Sequence, residues 1–122
     1  MLLTSSLNIW FWQRIVSPHM AELAVALARS GAEVTYVAEN EMSEDRKHQG
    51  WKAPALHNVR RELVNSTEAV AKLVNMAPAE SIHICQGVRA NGLVGDAQVA
   101  ISARGLRQWV VMETVDDAGW RG

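Results

Sequence analysis

The stretch Ser17-Pro18-His19-Met20-Ala21-Glu22-Leu23-Ala24-Val25-Ala26-Leu27-Ala28-Arg29-Ser30-Gly31-Ala32-Glu33-Val34-Thr35-Tyr36-Val37-Ala38 decides the fold. Ser17 is a good helix N-cap, and Pro18 stands at the first helical position, where its missing N–H costs nothing. Met20, Leu23, Ala24 and Leu27 recur at three- and four-residue spacing and are expected to form one buried stripe. Gly31 supplies the left-handed stop, and the apolar run from Glu33 to Ala38 follows at once as a strand. A helix feeding directly into such a strand is the unit of a parallel α/β sheet. Ligands of these sheets sit at the carboxyl ends of strands. The turn before Ser17, with Trp12, Gln13 and Arg14, therefore lies where chemistry is usually done.

Working outward, Leu7 to Phe11 is aromatic, branched and nearly continuous in apolarity, as a strand covered on both faces should be. Glu39 to Pro54 breaks into charges and reads as a solvent-facing loop, in which Trp51 could lie over a ligand. A weak strand is expected near Val59 to Val64. Asn65-Ser66-Thr67-Glu68 resembles a capping box, with Glu68 placed to reach back to the cap. The helix it opens is expected to bury Ala69, Leu73 and Met76 and to stop before Pro78. Ser81 to Cys85 forms the next strand, leading into Gln86-Gly87. A helix carrying Leu93, Val94, Ala97, Ala100 and Ile101 on one face ends at Gly105. Gln108 to Met112 reads as a last buried strand running to Glu113-Thr114.

This order predicts an α/β, Rossmann-like parallel sheet with helices on both faces and right-handed crossovers. Residues 1–122 are expected to form one domain, a truncated or half domain, because the pattern calls for a further helix where the sequence stops.

The composition narrows the function classes. Hydrophobic residues make up 48% and charged ones 20%, which describes a globular chain rather than a disordered or membrane-spanning one. The formal charge of -1 and the lack of a Lys/Arg stripe argue against nucleic acid as a partner. The lone Cys85 forms no internal disulfide and has no metal-ligand spacing around it, which fits a reducing, cytoplasmic setting. The apolar start lacks the basic leader of a signal peptide and is too short to span a bilayer. The turn after the first strand contains no glycine, so a dinucleotide pyrophosphate has no cradle there. A phosphate-binding Gly-rich loop, zinc spacing and a serine nucleophile elbow are missing as well. No acidic pair follows the first strand, which disfavours a magnesium-assisted phosphoacceptor. No cofactor or metal is expected.

In a parallel sheet three strand ends converge on one edge. They bring Trp12, Gln13 and Arg14, then Gln86, Arg89 and Asn91, then Glu113, Thr114, Asp116 and Asp117. Amides and carboxylates together suit a hydroxyl-rich ligand, although loop residues are polar everywhere. Arg14, beside the helix start at Ser17, suits a phosphate or stands as a solvated cation. His19, in that helix's first turn, suits a neutral hydrogen-bonding role or none. His83, between Ile82 and Ile84, reads as a core or sheet-face histidine. Cys85 reads as a small buried hydrophobe with no partnered base. Glu113, directly after an apolar strand, would be partly desolvated and a better proton acceptor for it, or else paired with an arginine.

The layout resembles the amino-terminal domain of GT-B glycosyltransferases, family 4 in particular. Ser17-Pro18-His19 with Leu23 to Ala38 is similar to the family's helix ending in Leu-Ala-x-x-Gly-His-Glu-Val before an apolar strand. Ile82-His83-Ile84-Cys85-Gln86-Gly87 resembles its strand reading Val-His-x-His, and Val110-Val111-Met112-Glu113-Thr114 its next strand. The chain departs from the family at four places. Arg14-Ile15 replaces a glycine pair, Ala32 a histidine, Cys85 a second histidine and Glu113 a histidine of the following strand. The site must then be built differently, with the Arg14 side chain in place of glycine backbone.

The resemblance implies the amino-terminal half of a GT-B fold that binds a sugar acceptor, saccharide or lipid. A nucleotide-sugar donor would come through a missing carboxyl-terminal domain, and the anomeric configuration would be retained. A lipid acceptor would bring peripheral membrane association. Glu113 would be catalytic, with Arg14, Ser17, His19, Gln86, Arg89, Asn91 and Asp116 binding substrate. The alternative is a non-catalytic α/β interaction or regulatory module using its sheet edge or its tryptophans.

Overall fold

A computed structural model describes residues 7–39, 56–87 and 92–111. Its elements, in chain order, are β1 (Asn8–Gln13), α1 (Pro18–Arg29), β2 (Glu33–Ala38), β3 (Arg60–Leu63), α2 (Thr67–Met76), β4 (Ile82–Gln86), α3 (Gly92–Arg104) and β5 (Arg107–Val111). The strands form a five-stranded sheet in the order β3-β2-β1-β4-β5, and every pairing is parallel. This is a Rossmann-like α/β fold, with the switch in strand order between β1 and β4.

Helices cover both faces. Along β1 the side chains alternate. Ile9 and Phe11 join Val34, Tyr36 and Ala38 beneath α1, which contributes Met20, Ala21 and Ala24. Trp10 and Trp12 join Val37 and Cys85 on the opposite face, beneath Val70, Leu73 and Val74 of α2 and Val94, Ala97 and Ile101 of α3. Three layers result, with β1 buried between them. Among the described residues no helix is long and apolar enough to cross a membrane.

The local signals work as read at several points. Ser17 caps α1, its side chain accepting from Met20 N, and Gly31 takes φ +109 after the helix. β2 has the expected bounds. α2 stops before Pro78, and Ser66 caps it by accepting from Ala69 N.

Five readings need correction. β1 runs two residues past Phe11, so Trp12 and Gln13 belong to the strand and are buried rather than lying in a turn. The buried stripe of α1 is turned toward Ala21; Leu23 is 42% exposed and Leu27 packs only at the margin. In α2, Val70 and Val74 take the core positions expected of Ala69 and Met76, and Met76 is 55% exposed. With Ser66 as cap, Glu68 falls one residue short of the position from which a capping box closes. β5 is an edge strand, not a buried one, and Trp109 is 68% exposed. The desolvation expected to tune Glu113 therefore has no source in the described part of that strand. Glu113 itself lies outside the described residues.

One tertiary bond pair ties the α2/α3 layer together. Arg104, at the end of α3, donates through Nη1 to Val74 O (2.7 Å), which also accepts from Ala77 N, and to Ala77 O (2.8 Å), both at the end of α2. A cation at a helix carboxyl end is favoured by the dipole as well as by the bonds. Arg104→Met is expected to lower unfolding free energy by about 1–2 kcal/mol, read as a shifted urea midpoint at unchanged slope. An unshifted midpoint would show that the cap carries no net stability.

Candidate functional site

The carboxyl rim of the sheet is organised around Arg14. Its backbone is clamped from both neighbouring strands: Arg14 N donates to Gln86 Oε1 (2.8 Å) at the end of β4, and Arg14 O accepts from Glu39 N (3.1 Å) just past β2. Tyr36 secures the same turn from below. Its hydroxyl donates to Ile15 O (2.9 Å) and accepts from Ser17 N (3.3 Å), while its ring stacks on Phe11 at 5.7 Å. The chain leaving β1 is thus fixed over the switch point, where doubly wound sheets open a ligand crevice. The Arg14 side chain stays exposed.

Of the residues expected at the site, Arg14, Ser17 and Gln86 come together on this rim. Ser17 serves there as the cap of α1, so its side-chain oxygen is already engaged. His19 is exposed on the first turn of α1. Arg89, Asn91, Glu113 and Asp116 lie outside the described residues, as do Trp51, Thr114 and Asp117.

Two further groups distinguish the rim. Gln13 is 3% exposed, and its Nε2 is sealed from solvent with no hydrogen-bond partner; Glu39 Oε2 is in the same condition. A polar atom left this way costs about 1–3 kcal/mol, and more when it carries charge. Gln13 pairs in register with Ala38, so Gln13 and Glu39 stand at adjoining strand ends. A Cβ on Gly92 would lie 3.7 Å from Glu39 Oε2, which places that carboxylate beside the first residue of α3. Gln13 is among the strand-end polar groups expected from the sequence, whereas Glu39 is expected to open a solvent-facing loop and instead has one carboxylate oxygen sealed from solvent. Glu39 was within reach of the sequence, because the argument that singles out Gln86 (the first polar group after an apolar strand) applies equally to Glu39.

Among the described residues the buried polar groups around His83 are matched. His83 Nδ1 accepts from Trp12 Nε1 (2.9 Å), so the neutral ring carries its proton on Nε2. That proton faces Ser81 Oγ at 2.8 Å, and the serine hydroxyl donates onward to Pro78 O at 2.6 Å. Trp10 and Trp12 stack around the imidazole with centroids 5.7 Å and 6.1 Å from it. Burial, aided by the Arg104 charge, holds its pKa down at about 4. A Ser–His pair of this kind is structural: both residues are fully buried and the imidazole's second nitrogen is occupied by an indole. The core reading of His83 is correct. Burial likewise pushes the Cys85 thiol up to about 12, which withholds the thiolate needed for nucleophilic chemistry.

Among the described residues no group of His, Cys, Asp and Glu could hold a metal ion. A concavity of about 410 Å³ lies at the opposite, amino edge, between Trp10, Glu33, Arg60 and Met76. It shares no residue with the rim and offers no sealed, unpaired group. Comparison with known proteins finds no match: no family model, no curated protein and no solved structure is similar to this chain.

Proposed function

We propose that this domain is the acceptor-side half of a sugar transferase. It binds a saccharide or lipid acceptor at the carboxyl rim, and a second, carboxyl-terminal domain brings the nucleotide-sugar donor. The single observation that carries this reading is the clamp that ties Arg14 to Gln86 across the switch between β1 and β4. It holds an exposed guanidinium and a carboxamide at the one place where a parallel sheet opens a crevice. The resemblance of the Ser17–Ala38 block to family 4 of the GT-B glycosyltransferases supplies the reaction class. Arg14 would bind an acceptor or donor oxygen, Gln86 would position the turn, and Glu113 would act as proton acceptor. Arg89, Asn91, Asp116 and His19 would contribute hydrogen bonds. Retention of the anomeric configuration, a cytoplasmic location and contact with the membrane surface through a lipid acceptor belong to the same reading.

The test is transfer from labelled UDP- and GDP-sugars. The chain alone should be inactive, and the chain joined to a donor-binding domain should transfer. Arg14→Ala and Gln86→Ala should each cut transfer about tenfold, the equivalent of one hydrogen bond. Turnover by the isolated chain, or transfer indifferent to both substitutions, would remove the proposal.

A second reading has its own observation. Trp109 and Val110 are exposed on β5, an edge strand, and exposed apolar edges invite pairing with another chain. A non-catalytic interaction module would use this strand, and self-association through it would favour that reading.

A further inference from the structure

The floor of the 410 Å³ concavity at the amino edge is set by strand register. Trp10, Thr35 and Arg60 are partners across β1, β2 and β3, so their side chains share one face of the sheet. Glu33 stands two residues before Thr35 on β2 and joins that face, in register with Asn8 of β1. It is the face that α2 covers, and Met76 and Pro78, at the end of that helix, form the facing wall. Glu33 and Arg60 are diagonal neighbours there, with Cα atoms about 8 Å apart by strand geometry. They do not pair with each other. Glu33 Oε1 accepts from Asn8 Nδ2 (3.2 Å), and Asn8 is fixed in turn, its Oδ1 accepting from Trp10 Nε1 (2.6 Å). Arg60 Nε donates to Glu62 Oε2 (2.9 Å), which leaves its two terminal nitrogens without a partner among the described residues.

Two separate, opposite charges lining one cavity narrow what it can hold. A small anion gains Arg60 but meets the Glu33 carboxylate, and a small cation meets the reverse. An uncharged apolar ligand would strip water from both charges and replace it for neither. A zwitterion answers both: its ammonium donates to Glu33, and its carboxylate accepts from the free end of the Arg60 guanidinium. In an α-amino acid the two charged groups sit on one carbon. With a hydrogen bond of about 2.8 Å at each end, such a ligand spans roughly the gap between the two strand positions. Met76, 55% exposed, and Pro78 offer the apolar wall for its side chain, and the volume lies in the range of small-ligand sites. We propose that this cavity is a second binding site, taking an α-amino acid zwitterion with a large apolar side chain. It shares no residue with the carboxyl rim and stands independently of the transferase reading.

The experiment uses the whole chain with L-phenylalanine as the probe. Phenethylamine and 3-phenylpropionate carry the same ring with one charge each. Binding is followed by NMR at the Trp10 indole N–H, the Asn8 side-chain amide and the Asn58 backbone amide, all at the cavity. Phenylalanine should shift these signals, and each single-charge analogue should bind about tenfold more weakly, as the loss of one charge-assisted bond implies. Glu33→Gln keeps the acceptor for Asn8 but removes the charge. It should weaken phenylalanine about tenfold and leave 3-phenylpropionate the better ligand. Arg60→Gln should shift the preference the other way, toward phenethylamine. A preference that reverses cannot come from lost structure, so these two variants separate a ligand contact from a folding defect. Silence of the three signals toward phenylalanine, equal binding of all three probes, or unchanged phenylalanine binding in E33Q and R60Q overturns the site.

Discussion

Replacing His83 with alanine is expected to remove about 3–5 kcal/mol of unfolding free energy. Three losses combine. An aromatic-sized cavity opens beside the stacked Trp10 and Trp12, the Trp12 indole N–H loses its acceptor, and Ser81 loses the group that orders its hydroxyl. Domains of this size hold about 5–15 kcal/mol in total, so the variant should sit near the edge of folding. His83→Asn is the informative companion. It keeps an amide oxygen near the Nδ1 position and should recover a good part of the lost stability, because a buried donor without an acceptor is the costly outcome. Urea unfolding at pH 7 measures both variants. Equal midpoints for wild type and H83A would mean that the indole–imidazole–hydroxyl relay does not hold the two layers together.

The second large effect is acid sensitivity. Folding holds His83 at about 4 against 6.5 when free. Between these values the unfolded chain takes up a proton that the folded chain refuses, so stability falls as pH drops from 6.5 to 4. It is flat in this respect above 6.5. The full difference is about 3 kcal/mol, with a slope near 1.4 kcal/mol per pH unit in the middle of the window. Protonation would leave Nδ1 unable to accept from Trp12 and would set a second cation against Arg104. The check is unfolding free energy from pH 7.5 to 4, wild type against H83N. The slope should vanish in the variant. Arg104→Met should move the window upward, since the guanidinium contributes to holding His83 neutral.

Both predictions concern a relay that local sequence does not reveal. His83 is legible as a core residue because its neighbours are Ile82 and Ile84. Its partners, however, come from 71 residues away on β1 and from the turn before β4. Their meeting depends on strand order and register, which set Trp10 opposite His83 and Trp12 opposite Cys85. The same limit explains the misjudged faces. Apolar spacing in α1 admits either Leu23 or Ala21 as the inward residue, and close packing on β1 and β2 selects the smaller one. Trp109 shows the converse. A Trp-Val-Val run reads as buried, but β5 is the last strand and lacks a neighbour on one side.

The sequence by itself determined the alternation of strands and helices, the Ser17 and Ser66 caps, the Gly31 stop and the parallel sheet that follows from them. These are short-range matters of dihedral preference, capping and periodicity, complete within a few residues of chain. The tertiary structure alone decided that Gln13 would be buried without a partner, that Glu39 would stand beside it at the strand ends, and that Trp12 would bond to His83. Burial and pairing are properties of what the rest of the fold brings near, and residues far apart in the chain acquire them only once the strands have chosen their neighbours.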